Sequence, residues 1–236
     1  MKKFKGINPN GLFLLAENRF NDSKSFYEEH KPQIRQWVTE PVYDLINDLS
    51  PTLYALDEEM ELTPYKMVSR VRRDNRYTND KSMYRENVWI MFQRDKRRFN
   101  YRQPCMWFEF TPDHMNYGVG LFSSDAKMMQ AFRETLDEHG EEFLKAAGKI
   151  KKIGIEPQFR SYKKDRSEGK SEKLKPYYNA RELYFISENR PLDGLFDGSV
   201  EEELLGAIKA FSPMYKFLLR VTEKVLDNTQ GENEDG

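Results

Sequence analysis

Asn87-Val88-Trp89-Ile90-Met91-Phe92-Gln93, Cys105-Met106-Trp107-Phe108-Glu109-Phe110 and Asn116-Tyr117-Gly118-Val119-Gly120-Leu121-Phe122 follow one another within a single stretch of chain. Each run is short, rich in β-branched or aromatic residues, and too brief for a helix, so each reads as a strand. The connections are short, which favours antiparallel pairing. Trp107 and Phe108 point to opposite faces of their strand, so both faces have cover. Gly118 and Gly120 bracket Val119 and leave room for close packing or a bulge.

The pattern changes on both sides of this block. Upstream, Leu12, Leu14 and Leu15 follow an Asn8-Pro9-Asn10-Gly11 turn, and Asp22 and Ser23 offer caps for a second helix carrying Phe26, Tyr27, His30, Ile34 and Trp37. Pro32 is expected to kink or divide that helix. Pro41 opens a third, with Val42, Leu45, Ile46, Leu49, Leu53 and Leu56 on one stripe, and Pro51 is expected to shorten it. Met67–Arg73 reads as a further strand.

Downstream, Ser124-Asp125 caps a helix with Met128, Met129, Phe132 and Leu136 along one side. His139-Gly140 reads as its end, and Phe143–Ile150 continues helically. Glu156–Tyr162 and Glu182–Ser187 read as strands, separated by a charged, mobile loop over Lys163–Lys175. Ser199 caps a helix with Leu204, Leu205 and Ile208, and Ser212-Pro213 restarts one with Met214, Phe217, Leu218, Val221 and Val225. The acidic tail 229–236 carries no large apolar residue and is expected to be disordered. No repeat and no linker divides the chain. The expectation is a single α+β domain over 1–228, mainly an antiparallel sheet with an N-terminal helical segment and C-terminal helices packed on it. Strict βαβ alternation is absent, which argues against a dinucleotide fold.

Composition narrows the function classes. The chain has 236 residues, 38% apolar, 14% aromatic and 33% charged, with formal net charge −1, so large rings supply much of the core and no global charge draws it to a polyanion. Duplex DNA is not an expected partner, since the acidic tail would repel it. Leu12-Phe13-Leu14-Leu15-Ala16 is too short for a signal-peptide core, and nothing has the length of a membrane span. The lone cysteine, Cys105, lies between Pro104 and Met106-Trp107-Phe108 and reads as a buried, inert thiol. A single thiol forms no internal disulfide, and a reducing cytoplasm is the expected compartment.

Charge is concentrated in one place. Residues 66–102 hold twelve Lys and Arg against four Asp and Glu, threaded with Tyr65, Tyr77, Tyr84, Trp89, Phe92, Phe99 and Tyr101. Within it, Arg70-Val71-Arg72-Arg73-Asp74-Asn75-Arg76-Tyr77-Thr78-Asn79-Asp80-Lys81-Ser82-Met83-Tyr84-Arg85 leaves a strand and enters a turn-rich loop. Alternation puts Arg70 and Arg72 on one face and Val71 and Arg73 on the other. Several guanidinium groups on such a loop clamp a phosphate or carboxylate bidentately. The competing reading is that Arg73, Asp74, Arg76, Asp80 and Lys81 pair internally and rivet the loop to the sheet.

This run resembles the signature of a family of uncharacterised proteins known as domain of unknown function number 2461, an Arg-x-x-Arg-Asp-x-Arg-Phe-Ser-x-Asp-Lys-x-x-Tyr-Lys stretch. The matching residues are Arg70, Arg73, Asp74, Arg76, Asp80, Lys81 and Tyr84, with Tyr77 in place of Phe, Thr78 in place of Ser and Arg85 in place of Lys. The resemblance extends to Phe13-Leu14, Glu17-Asn18, Phe26 and His30-Lys31, to Gly118-Val119-Gly120, and to Ser212-Pro213 with Phe217-Leu218. It implies one domain and supplies no reaction.

The favoured expectation is an anion site for a small phosphorylated or carboxylated molecule. Arg70, Arg73, Arg76 and Arg85 contact it, Lys81 adds a point charge, Asp74 and Asp80 orient the cations, and Tyr77 or Tyr84 covers the ligand. A second reading is an enzyme with Glu109, Asp74 or Asp80 as acid or base and the arginines as charge stabilisers. Glu109 sits among rings, which raises a carboxyl pKa, although the commoner role is to answer an arginine such as Arg70 or Arg73. His30 is held as a catalytic reserve beside its plainer role as a packed, hydrogen-bonded imidazole. A third reading is a module binding single-stranded nucleic acid through Arg94–Phe99 and Tyr101. His30, His114 and His139 lack metal-ligand spacing, and neither a Walker phosphate loop nor a Gly-x-Ser-x-Gly elbow occurs, so no metal and no cofactor is expected.

Overall fold

The computed structural model describes residues 2–95, 103–121 and 125–234, with side chains described as far as 227. The fold is α+β. Its five strands are β1 (Val88–Phe92), β2 (Cys105–Phe110), β3 (Met115–Gly120), β4 (Pro157–Gln158) and β5 (Tyr184–Arg190), in the spatial order β1-β2-β3-β5-β4. The sheet is antiparallel, with helices before and after it in the chain. Contacts divide the chain into two compact units of interleaved segments. The first takes Met1–Phe92, Trp107–Tyr117 and Glu188–Gly206; the second takes Gln93–Met106, Gly118–Ser187 and Ala207–Gly236.

In the first unit, α1 (Pro9–Asn21) starts where the Asn8 side chain accepts from Asn10 N–H, and ends at Asp22 in the left-handed region, φ 45°. Ser23 caps α2 (Lys24–Ile34). Pro32 does not divide it. The backbone stays helical through a π-helical turn at Arg35–Thr39 into α3 (Glu40–Leu56), and Pro51 sits inside α3 without shortening it. A wider turn accommodates a proline ring that would otherwise collide with the carbonyl four residues back. The Trp37 carbonyl, whose α-helical donor would be the nitrogen of Pro41, accepts from Asn8 N–H at 3.3 Å. Of the expected stripe, Val42, Leu45, Ile46, Leu49 and Leu53 are fully buried and Leu56, the last residue of α3, is half-buried.

The strand expected over Met67–Arg73 does not form. Met67 ends the short helix α4 (Pro64–Met67), and the rest makes two isolated antiparallel bridges, Val68 with Ile90 and Arg72 with Tyr84. Between these bridges, residues 69–71 face residues 85–89, so the two sides differ in length and the ladder breaks at the bulge. β2 covers the expected residues, and all but Glu109 are buried.

The second unit is built on α5 (Ala126–Lys151). Asp125 caps it by accepting from Met128 N–H at 2.8 Å; Ser124 lies outside the described residues. The expected break at His139-Gly140 is there: the backbone leaves the helical region at His139 (φ −131°, ψ 26°), and α5 is two helical stretches joined at this kink. Phe143 gathers a ring cluster, with Phe132 at 5.7 Å, Phe217 at 5.2 Å and Tyr177 at 4.6 Å between centroids. At Gly120, the end of β3, a Cβ would lie 2.6 Å from Tyr184 Cβ, so only glycine lets the backbone approach this closely.

The segment read as a mobile loop is tethered by polar contacts that hydropathy does not register. Asp165 accepts from Ser167 N–H and Oγ and from Asn179 Nδ2, and Lys170 pairs with Asp137, which also accepts from Tyr178 Oη at 2.6 Å. Helix α6 (Lys175–Tyr178) follows it. After β5 come α7 (Asp193–Asp197) and α8 (Val200–Glu234). Pro213 lies inside α8 rather than opening a new helix. The α8 backbone continues into the tail as far as Glu234, because extending an existing helix avoids the cost of nucleation.

Candidate functional site

The 70–85 segment lies wholly in the first unit and is held at both ends by backbone bonds. Arg73 N–H donates to Met83 O at 2.7 Å and Arg85 N–H to Val71 O at 3.1 Å, flanking the Arg72–Tyr84 bridge. That arrangement is a non-hydrogen-bonded antiparallel pair, which puts Arg72 on the face of Tyr84 and places Arg73 and Arg85 on the other. The outward N–H groups of Met83 and Tyr84 both donate to Asp22 Oδ1, at 2.7 and 3.2 Å.

Most charges of the loop are answered within it. Arg76 grips Asp74 bidentately, Nε to Oδ1 at 2.9 Å and Nη2 to Oδ2 at 2.7 Å. These bonds hold the Asp74 carboxyl at a pKa of about 2 and push Arg76 up. Asp80 accepts from Ser82 N–H and Oγ, and from Arg73 and Arg19; Ser82 is the main reason its pKa falls to about 2. Lys81 Nζ donates to Asn75 O at 3.1 Å, and Asn75 Nδ2 returns a bond to Lys81 O. Thr78 Oγ1 donates to Asp80 O. Tyr77 stands 88% exposed, with the Arg76 guanidinium 5.4 Å from its ring centroid. Tyr84 is buried, its ring stacked 4.8 Å from Tyr27, and burial raises its hydroxyl pKa; it forms part of the framework under the loop.

Three guanidinium groups have no carboxylate partner among the described residues: Arg70, Arg72 and Arg85. Arg70 and Arg72 are exposed, and Arg70 acts on Asp74 only through its field. Arg85 is different. Its guanidinium lies 4.1 Å from the centroid of the Trp89 ring, its Nε is buried without an acceptor, and burial, then the neighbouring Arg73 charge, depresses its pKa. A buried donor left unpaired costs about 1–3 kcal/mol, so the group is primed for an acceptor.

The other candidates have partners of their own. Glu109 accepts from Asn87 Nδ2 at 2.6 Å and from neither Arg70 nor Arg73 among the described residues. His30 takes its plainer role: Nδ1–H donates to Phe26 O at 2.9 Å and the ring stacks on Phe26 at 4.1 Å. Thr111 and His114 close the turn after β2, and His139 marks the α5 kink. Cys105 is buried, with Sγ 2.8 Å from Met106 O. No His, Cys, Asp and Glu cluster able to hold a metal occurs among the described residues. The basic residues 96–98 and 102, with Phe99 and Tyr101, lie outside the described residues. A cavity of about 700 Å³ opens elsewhere in the first unit, between Lys3, Lys5, Asp197 and Glu201, and its mixed signs select no one charge.

The sequence model of the conserved hypothetical protein family DUF2461 matches residues 11–217. The chain belongs to the DUF2461 family. No curated protein matches it. The DUF2461 match contains the whole 70–85 segment and its two unexpected supports, Asp22 and Arg19. Asp22 reads in sequence only as a helix cap, and Arg19 as one more surface charge on α1. Their role here depends on a chain reversal some sixty residues away.

Proposed function

We propose that the 70–85 segment binds a small phosphorylated or carboxylated molecule on the face that carries Arg85 and Arg73. The observation that carries this reading is the Arg85 guanidinium, its Nε buried without an acceptor and its nearest strong charge another arginine. An anion supplies that acceptor and relieves the repulsion between like charges. Arg70 adds field from its exposed position. Asp74 and Asp80 hold Arg76 and Arg73 in place, Lys81 stiffens the loop, and Tyr77 is free to fold over a guest. Trp89 provides the platform, and Tyr84, stacked on Tyr27, supports the loop from the opposite face. Among the described residues no helix is long and apolar enough to cross a membrane. The single buried thiol supports a cytoplasmic setting.

The test is a panel of phosphorylated and carboxylated metabolites titrated calorimetrically against the folded protein, with Arg85→Met, Arg73→Ala and Arg76→Ala. The expected order is a large loss for Arg85→Met, a substantial one for Arg73→Ala and a small one for Arg76→Ala, whose charge is already spent on Asp74. Equal binding by all four proteins would remove the idea.

A further inference from the structure

A second orphaned arginine lies in the other unit, on α5. Arg133 sits between Phe132 and Glu134 and is 7% exposed, which is unusual for a guanidinium. Its Nη1 is buried and has no hydrogen-bond partner, while the rest of the guanidinium meets Gln130 Oε1, at 3.4 Å from Nη2, and the Tyr162 side chain. Arg166 and Arg181 join it around one ring: the guanidinium carbons of Arg166, Arg181 and Arg133 lie 4.1, 5.5 and 5.8 Å from the Tyr162 centroid. Arg166 is close enough to depress the pKa of Arg133, second only to burial, and Tyr162 and Glu134 offset this less strongly.

The acids nearby have other hydrogen-bond partners, although Glu134 acts on Arg133, and Glu182 on Arg181, through their fields. Asp165 is used by Ser167 and Asn179, Glu182 by Arg160, and Glu134 accepts from Gln130 Nε2 at 2.9 Å. Neither Arg133 nor Arg166 has a carboxylate ion pair among the described residues. Arg166 and Arg181 are exposed, so the cluster around Tyr162 runs from a buried guanidinium to two that meet solvent. A fold does not retain an uncompensated buried charge without a partner for it. Arg133 and Arg166, two guanidinium groups without a carboxylate ion pair among the described residues, match the charge and oxygens of a dianionic phosphoryl group better than a single carboxylate, and Arg181 adds its charge beside the same ring.

We propose that Arg133, Arg166 and Arg181, arranged around Tyr162, form a binding site for a phosphoryl group, separate from the 70–85 segment. Arg133 is the buried anchor, and the two exposed arginines close on the remaining oxygens.

The probe is inorganic phosphate, titrated into the full chain at constant ionic strength against chloride, with thermal unfolding and ³¹P line width as readouts. The wild type is expected to gain thermal stability through millimolar phosphate. Arg133→Met removes a charge with no carboxylate partner, so it is expected to be at least as stable as wild type without phosphate and, when combined with Arg85→Met, to show no phosphate response. Arg166→Ala, a surface change that leaves the core intact, is expected to weaken the response roughly tenfold, the loss of one charge-assisted pair. Arg85→Met is expected to keep the response of this site, which separates it from the 70–85 reading. A parallel titration with an alkyl phosphate tells a monoester guest from the free ion by which binds more tightly. A wild type indifferent to both phosphates, or an Arg166→Ala protein that responds like the wild type, overturns the proposal even if Arg133→Met fails to fold.

Discussion

Asp22 is the residue whose replacement tests the framework of the site most directly. Its Oδ1 accepts the N–H groups of both Met83 and Tyr84, and its own backbone occupies the left-handed region at φ 45°, ψ 38°. Asp22→Ala removes two partly buried bonds to a charged acceptor and forces alanine into a conformation that disfavours a Cβ. The bonds are worth about 1.5 kcal/mol each at the low end for a charged acceptor, and partial exposure reduces that; the left-handed backbone adds about 1 kcal/mol. The expected loss is about 3 kcal/mol. Asp22→Asn keeps an acceptor oxygen and tolerates the left-handed region, so it should cost about 1 kcal/mol. Asp22→Gly keeps the backbone freedom and loses the acceptor, so it should fall between them at about 2 kcal/mol. Urea unfolding followed by tryptophan fluorescence reads the series, with the slope required to stay constant so that midpoint shifts report stability. An Asp22→Ala protein within about 0.5 kcal/mol of wild type, or an Asn variant as damaged as the Ala one, refutes the view that this carboxylate staples the backbone of Met83 and Tyr84 to the end of α1.

Acid should loosen the 70–85 loop in a defined window. Asp74 and Asp80 titrate at about 2 in the folded chain, against about 3.9 in an unfolded one, so the folded state binds fewer protons there. Their stabilisation is complete above the unfolded value and is lost as pH falls from about 4 towards 2; melting temperature measured across that range should fall less steeply for Asp80→Asn than for wild type. Two glycines should respond oppositely to alanine. Gly120→Ala places a Cβ 2.6 Å from Tyr184 Cβ and 2.8 Å from its Cα and should cost at least about 2 kcal/mol, whereas Gly148→Ala, within α5 with nothing inside 4 Å, should gain about 0.5–1 kcal/mol in the same urea assay.

Local patterns were readable where burial is local. Cys105–Phe110 matches its expected strand because both faces are covered, which leaves a continuous apolar run. The 42/45/46/49/53 stripe is visible for the same reason. Prolines 51 and 213 mislead because tertiary support of the helix outweighs the single bond each one removes. Met67–Arg73 misleads because a strand needs a partner of matching length, and the five residues 85–89 opposite the three residues 69–71 are a property of the pairing, not of either segment. Lys163–Lys175 looks mobile because its order rests on Asp165, Asn179 and Asp137 rather than on apolar residues.

The candidate site follows the same division. A charge count over 66–102 finds the surplus of cations but not which cations are unanswered, since that depends on where each carboxylate can reach. Asp74 lies two residues from Arg76 and captures it, while Asp80 folds back to Arg73 and is shared with Arg19 from another helix. Of the three left without a carboxylate, Arg85 at the end of the motif is the one with a buried nitrogen, turned by backbone alternation onto the face of Arg73. Arg133 carries the argument further, because its neighbourhood in sequence is not basic at all: Gln130, Arg133, Glu134 and Asp137 sum to no cationic excess. What sets Arg85 and Arg133 apart is desolvation without a counter-charge, a condition made by packing. Local charge density therefore points to loops that hold themselves together, and a guanidinium buried beside another guanidinium is the sharper sign of a missing anion.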